Sequence, residues 1–257
     1  MSADSLSEIV EKIRLRTPAR LLEGRSGGAY RTSTQLELRA AHAAARDAVR
    51  TEFSIEQHLG ANLIGRFGIF EVDSEASSKD EYLLRPDLGR RLCSDSRGKL
   101  VQQCLGAPDL QVVVGDGLST PAIATQVPAL LPLIVEGALK RGWALGQIFA
   151  VRFCRVGILN DVGELLQPKV AVLLIGERPG LATAESLSAY LAFRPRTGHT
   201  DADRNLISNI HARGTGVEEA SVRILNLAAQ MMRLETSGVR VREELPDGVA
   251  GRLKSSC

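Results

Sequence analysis

Two glycine turns carry the densest chemistry in the chain. Val112-Val113-Val114-Gly115-Asp116-Gly117-Leu118-Ser119-Thr120 ends a β-branched run in two glycines and then offers hydroxyls that can cap a helix. Gly176-Glu177-Arg178-Pro179-Gly180-Leu181 follows a second apolar run, 169–175, in the same way. Backbone N–H groups and the helix dipole at such turns favour negative charge, and in an open α/β sheet ligands bind there. The first turn lacks the third glycine of G-x-G-x-x-G and the lysine of a P-loop, which weighs against nicotinamide dinucleotides and nucleoside triphosphates. Each is equally readable as a tight structural turn with Glu177 and Arg178 solvated.

A third block, Asp201-Ala202-Asp203-Arg204-Asn205-Leu206-Ile207-Ser208-Asn209-Ile210, packs acid, amide, guanidinium and hydroxyl groups around apolar residues. Such a segment satisfies a buried polar network or grips a ligand. Asp201 and Asp203 are too close for a glycosidase pair, and His199 and His211 flank the block without H-x-E or H-E-x-x-H spacing. Cys93, Cys104, Cys154 and Cys257 form no C-x-x-C pair, which argues against a zinc knuckle and for reduced thiols. With no nucleophile elbow or kinase set either, the chain reads as a platform for a cofactor and not as a self-contained catalyst.

These turns need a scaffold. Runs at 110–114, 148–156 and 169–175 read as buried strands, with a helix opening at Ser119-Thr120-Pro121 between the first two. Strand, helix, strand implies parallel pairing, so the two glycine turns project from one sheet edge. Upstream, helical spacing marks 6–15 and a helix capped by Ser33 or Thr34, whose opposite face carries Arg39, His42, Arg46 and Arg50. A weak edge strand falls at 67–72, and a helical stretch runs from Arg85 to Leu105. Thr215 and Glu218 have capping-box spacing for a last helix that Gly238 ends. Proline and glycine at Gly106-Ala107-Pro108 mark a boundary between a mainly helical N-terminal domain, 1–105, and an α/β domain, 106–257.

The 257 residues, 44% hydrophobic and 24% charged, describe a globular chain with a full-sized core. A net charge of +2 gives no global field for a nucleic acid, and the 4% aromatic content is poor support for an RNA-binding module. The 26 arginines against 6 lysines suit carboxylate or phosphate recognition, and are equally readable as genomic base composition. No basic leader with an apolar run opens the chain and no uninterrupted apolar run reaches about 18 residues, so the expectation is a cytoplasmic protein outside the membrane.

Five blocks in order, Arg85-Pro86-Asp87-Leu88-Gly89-Arg90-Arg91-Leu92, Gly115-Asp116-Gly117-Leu118-Ser119, Gly176-Glu177-Arg178-Pro179-Gly180-Leu181, Glu185-Ser186-Leu187-Ser188-Ala189-Tyr190 and Asp203-Arg204-Asn205-Leu206-Ile207-Ser208-Asn209-Ile210, resemble the ethanolamine ammonia-lyase small subunit. The likeness spans about 17–239. It implies a Rossmann-like, mostly parallel sheet with flanking helices behind a smaller helical domain that docks on a large barrel subunit. Adenosylcobalamin would lie between the two chains, and its radical chemistry would convert ethanolamine, bound mainly by the partner, to acetaldehyde and ammonia. The cofactor contacts carried over by the resemblance are Val156, Glu177 and Leu206, where other members often have cysteine at the last position. The chain lacks D-x-H-x-x-G, so the expectation is that the cofactor keeps its own benzimidazole on cobalt. A higher-order hetero-oligomer, with entry into a bacterial microcompartment left open, completes what the resemblance implies. A nucleotide-dependent oxidoreductase subunit is the alternative.

Overall fold

The computed structural model describes residues 3–16, 23–180 and 182–244; Leu181 and Cys257, named above, lie outside them. Helix α1 (Ala3–Arg16) covers the predicted 6–15 helix. The following glycine-rich stretch forms a small hairpin of β1 (Arg25–Ser26) and β2 (Ala29–Tyr30), with Gly27 at its tip at φ +61°. Helix α2 (Thr32–Arg50) keeps Arg39, His42, Arg46 and Arg50 exposed, but its N-cap is Arg31, so neither Ser33 nor Thr34 caps it.

Short helices α3 (Ile55–His58) and α4 (Ala61–Phe67) lead into β3 (Phe70–Asp73), the predicted edge strand. Helix α5 (Lys79–Leu84) follows, in a stretch to which the sequence reading assigns no element. The helical stretch expected from Arg85 is broken into a 3-10 turn at Leu88–Arg90 and helix α6 (Ser94–Gln103).

The chain then alternates through β4 (Leu110–Gly115), α7 (Thr120–Lys140), β5 (Phe149–Arg152), α8 (Ile158–Leu166) and β6 (Val170–Gly176). It closes with β7 (Leu187–Phe193), β8 (Asn205–Ile210) and α9 (Val217–Leu234).

The six-stranded sheet has the order β3-β5-β4-β6-β7-β8. β3–β5, β5–β4 and β4–β6 pair parallel, while β6–β7 and β7–β8 pair antiparallel. The expected α/β class and mostly parallel open sheet with flanking helices are therefore what the structure shows. β4 and β6 are buried along their whole length, which is why their sequences are near-continuous apolar runs. The two-residue strand period sorts their side chains: Val112 and Val114 join a core with α7 and α9, while Val113 joins a second core with α6 and α8. α7 is long and apolar enough to cross a membrane, yet it packs against β6 and α9. Phe53, Ile55, Leu59, Leu63 and Ile69 share its core, so segments ahead of Gly106 help build the same body as the sheet.

Two boundaries differ from expectation. α9 starts after Gly216 without a side-chain cap, and the Thr215 N–H, which a capping box would offer to the Glu218 side chain, donates to the Asn209 carbonyl at 2.8 Å. The helix ends at Glu235, which takes the left-handed conformation at φ 50°, while Gly238 (φ 75°) opens a separate 3-10 turn.

Candidate functional site

The parallel pairing of β4 and β6 brings the two glycine turns to one rim, as the sequence predicts. The Leu118 N–H donates to the Gly176 carbonyl at 3.1 Å. A Cβ on Gly117 would stand 2.3 Å from that oxygen, and one on Gly176 would stand 2.1 Å from the Ser119 carbonyl. Both positions thus need glycine for close approach of the turns, and Gly117 also holds φ +59°. Ser119 caps α7 by accepting from the Ala122 N–H at 3.3 Å, and its hydroxyl donates to the Ala184 carbonyl.

At this rim opens a cavity of about 340 Å³. Val156, Glu177 and Leu206 all line it, although 21 and 29 residues separate them in the chain. Val156 does not end a strand: β5 stops at Arg152, and Val156 sits in the turn before α8. Leu206 belongs to β8, opposite Tyr190 of β7, and is 45% exposed. The block from 201 onward is thus partly an edge strand. Its polar residues conceal the strand because they sit at a sheet edge, where an apolar face is not required.

The Glu177 side chain is more committed than its sequence suggests. Its Oε1 accepts from the Ser188 hydroxyl at 2.6 Å and the Asn209 N–H at 2.9 Å, and Oε2 accepts from the Ser186 hydroxyl at 2.7 Å. A carboxylate offers about four acceptor sites, so about one is left for a ligand. Asn209 meets the carboxylate at φ 56°, a left-handed conformation that asparagine tolerates.

Sequence reasoning missed the floor of the cavity. Helix α5 supplies Tyr82, and the signal for it was present: Ser78-Lys79-Asp80-Glu81 is a capping spacing, and the Ser78 hydroxyl accepts from the Glu81 N–H at 3.2 Å. Tyr82 is fully buried, donates to the Cys154 carbonyl at 2.9 Å and carries the Arg155 guanidinium 4.3 Å above its ring. Burial foremost, then the nearby Asp116, pushes its phenol far above the usual range, so it stays a neutral donor.

Beneath it Asp116 is wholly buried, accepts from the Cys154 N–H at 2.8 Å and pairs with Lys79 Nζ at 3.4 Å. Burial raises the Asp116 carboxyl, with Lys79 opposing. The Ser74 hydroxyl holds the Phe153 carbonyl at 3.0 Å, and Phe153 itself sits at φ 53°. This network fixes the turn that presents Arg155 and Val156. Burial drives the Cys154 thiol well above its ordinary value, which makes it a packing group and not a nucleophile.

The apolar surface comes from Leu118, Val156, Ile175 and Leu206, and the polar rim from Glu177, Arg178 and Ser208. Such a surface binds and orients, and it is open on one side. At about 340 Å³ the cavity is near the lower limit for a drug-sized ligand, so it covers only part of anything larger and leaves the rest to another surface.

The family model of the ethanolamine ammonia-lyase light chain matches residues 7–242. The chain belongs to that family. The ethanolamine ammonia-lyase small subunit of Clostridium perfringens is 42% identical over 231 residues, covering 90% of this chain and 76% of that protein. That of Fusobacterium nucleatum subsp. nucleatum is 41% identical over 249 residues, covering 93% and 82%. The resemblance read from five sequence blocks is thereby confirmed, and the ethanolamine ammonia-lyase light-chain family sets the reaction class as a lyase. The cavity at the sheet rim is where this member of the family brings Val156, Glu177 and Leu206 together.

Proposed function

We propose that this chain is the small subunit of an adenosylcobalamin-dependent ethanolamine ammonia-lyase, and that the rim of its sheet forms half of the cofactor cradle. The large subunit, a barrel, supplies the other half and binds ethanolamine. When bound, the cofactor supplies the radical chemistry by which ethanolamine becomes acetaldehyde and ammonia. This chain's residues hold and orient it: Val156 and Leu206 press on apolar corrin surface, and Glu177 accepts from a corrin amide with its remaining acceptor site.

One observation carries the reading. Three residues that the family resemblance singles out, on β5–α8, β6–β7 and β8, converge on one apolar-floored cavity, and the largest apolar group among them is left half-exposed. An exposed leucine in a concave surface is stabilised by a ligand or partner that covers it. Most of the helical segment 1–105 is assigned to partner docking, and 106–257 to the cofactor, with Tyr82 of α5 reaching across to floor the cavity. The assembly is a cytoplasmic hetero-oligomer, and the α1 segment is the candidate tag for entry into a microcompartment.

Absorbance titration with adenosylcobalamin tests the proposal. The spectrum should shift, and ethanolamine turnover appear, only when this chain and the large subunit are mixed. A pair that leaves the cofactor spectrum unchanged and ethanolamine unconsumed would refute it.

A further inference from the structure

A second cavity, of about 500 Å³, adjoins the first and shares Arg155 and Val156 with it. Its walls are of different chemistry. Arg90, Arg91, Arg155 and Arg204 line it together with Gly157 and Asn160, at the N-terminal end of the nine-residue helix α8.

Two close approaches seat the arginines. A Cβ on Gly157 would lie 2.8 Å from the Arg90 side-chain stem, so the stem lies flat on the α8 N-cap. A Cβ on Gly89 would lie 2.7 Å from the Phe153 carbonyl and 2.8 Å from Arg155 Cγ, and the Gly89 carbonyl accepts from the Arg155 N–H at 2.7 Å. The Arg85–Leu92 block therefore seats Arg90 on the α8 N-cap and packs Gly89 on Arg155, which brings both arginines to this cavity.

The positive charge here is only partly compensated by protein, Arg204 by Asp201 and, more weakly, Arg90 by Asp87. The carboxylates on the wall are Asp161 and Asp201. Asp161 is engaged by Arg97 at 2.7 Å and by the Leu92 N–H at 2.9 Å, and Asp201 by Arg204 at 2.6 Å. Among the described residues Arg90, Arg91 and Arg155 make no salt bridge. The Arg204 side chain is only 4% exposed and also donates to Asn160 Oδ1 at 2.8 Å, yet its Nε–H has no acceptor; nor has the Nε–H of Arg155. Several guanidinium groups converging beside a helix N-terminus form a site for a phosphate-class anion.

We propose that this second cavity is a phosphate subsite, filled by the phosphodiester of the corrinoid's nucleotide tail. The inference rests on the cofactor-cradle reading and adds to it a part of the ligand and the residues that take it. The continuity of an apolar cavity with a cationic one matches a ligand that carries an apolar macrocycle and an anionic tail.

Equilibrium dialysis of the reconstituted two-chain enzyme separates the possibilities, using adenosylcobalamin, which has the phosphodiester, and adenosylcobinamide, which lacks it. Arg90→Gln and Arg91→Gln are the variants, since both side chains are exposed and their replacement spares the fold. Each should weaken adenosylcobalamin binding roughly ten- to hundredfold, the effect of a charge-assisted hydrogen bond, and leave adenosylcobinamide binding unchanged. Equal losses for both corrinoids, or no loss for either, would overturn the subsite while the cradle reading stands. Loss of co-elution with the large subunit would assign the arginines to a partner carboxylate and overturn it as well. Loss of inorganic phosphate retention with adenosylcobalamin uptake intact would assign them to free phosphate, again against the proposal. Uptake of neither corrinoid by the wild-type pair would remove the subsite together with the function it rests on.

Discussion

The carboxylate of Glu177, at the end of β6, accepts the backbone N–H of Asn209, on β8, at 2.9 Å, reaching past the intervening strand β7. Two serines of the segment that starts β7, Ser186 and Ser188, complete its coordination. Glu177 is therefore a clasp across three strands as well as a wall of the cavity.

Replacing Glu177 with alanine should act on both roles. Three donors lose their acceptor, so stability should fall by about 2 kcal/mol, and adenosylcobalamin uptake by the reconstituted pair should fall at least about tenfold. Urea unfolding of this chain and dialysis of the pair measure the two effects separately. A variant with wild-type stability and uptake would show that the clasp has neither role.

Lys79 and Asp116 form a buried pair under the Arg155–Val156 turn. Lys79→Met leaves the Asp116 carboxylate buried beside a neutral side chain and should cost about 3–5 kcal/mol in chemical denaturation. Adding Asp116→Leu removes the stranded charge and should recover most of that loss, while uptake stays impaired because the Cys154 N–H loses its acceptor. A double variant no more stable than the single one would contradict this account.

His199 sits where the second cavity meets a neighbouring arginine-rich surface, and its Nδ1 is buried without a partner. Burial first, then Arg196, Arg204 and Arg240, lower its pKa from the ordinary 6.5, with Asp203 opposing. A histidine whose folded pKa is depressed favours the folded state fully above its unfolded value. That contribution is lost as pH falls from about 6.5 through the folded value. Thermal unfolding of wild type should therefore show a loss between pH of about 7.5 and 5 that His199→Gln reduces. An identical pH profile in the variant would remove His199 as its source.

The chain offers no D-x-H-x-x-G pattern, so the cobalt(II) state of the loaded pair should show superhyperfine coupling from the cofactor's own benzimidazole nitrogen. Isotopic labelling of protein histidines should leave that coupling unchanged. A splitting that follows the histidine label would reverse the assignment.

Much of this was legible in the sequence because buried parallel strands write themselves as continuous apolar runs. Val112–Val114 and the 170–175 run are of this kind, and their glycine endings located the rim. β8 was not legible, because an edge strand with Asn205, Ser208 and Asn209 carries no apolar alternation. The cavity floor was hidden for a different reason: Tyr82 and Arg155 meet only through long-range packing, and no local spacing records that contact. α5 was recoverable from Ser78 and Glu81, whereas the Glu177 clasp depends on Asn209 adopting a left-handed backbone that sequence does not announce.

The most direct test of the cradle is Leu206→Asp. Leu206 is 45% exposed on an edge strand, so the substitution should leave folding and co-elution with the large subunit as in wild type, while a charge now faces the corrin. Equilibrium dialysis of the variant pair with adenosylcobalamin should show uptake reduced at least about hundredfold. Uptake equal to wild type would mean that the cofactor does not lie against this rim.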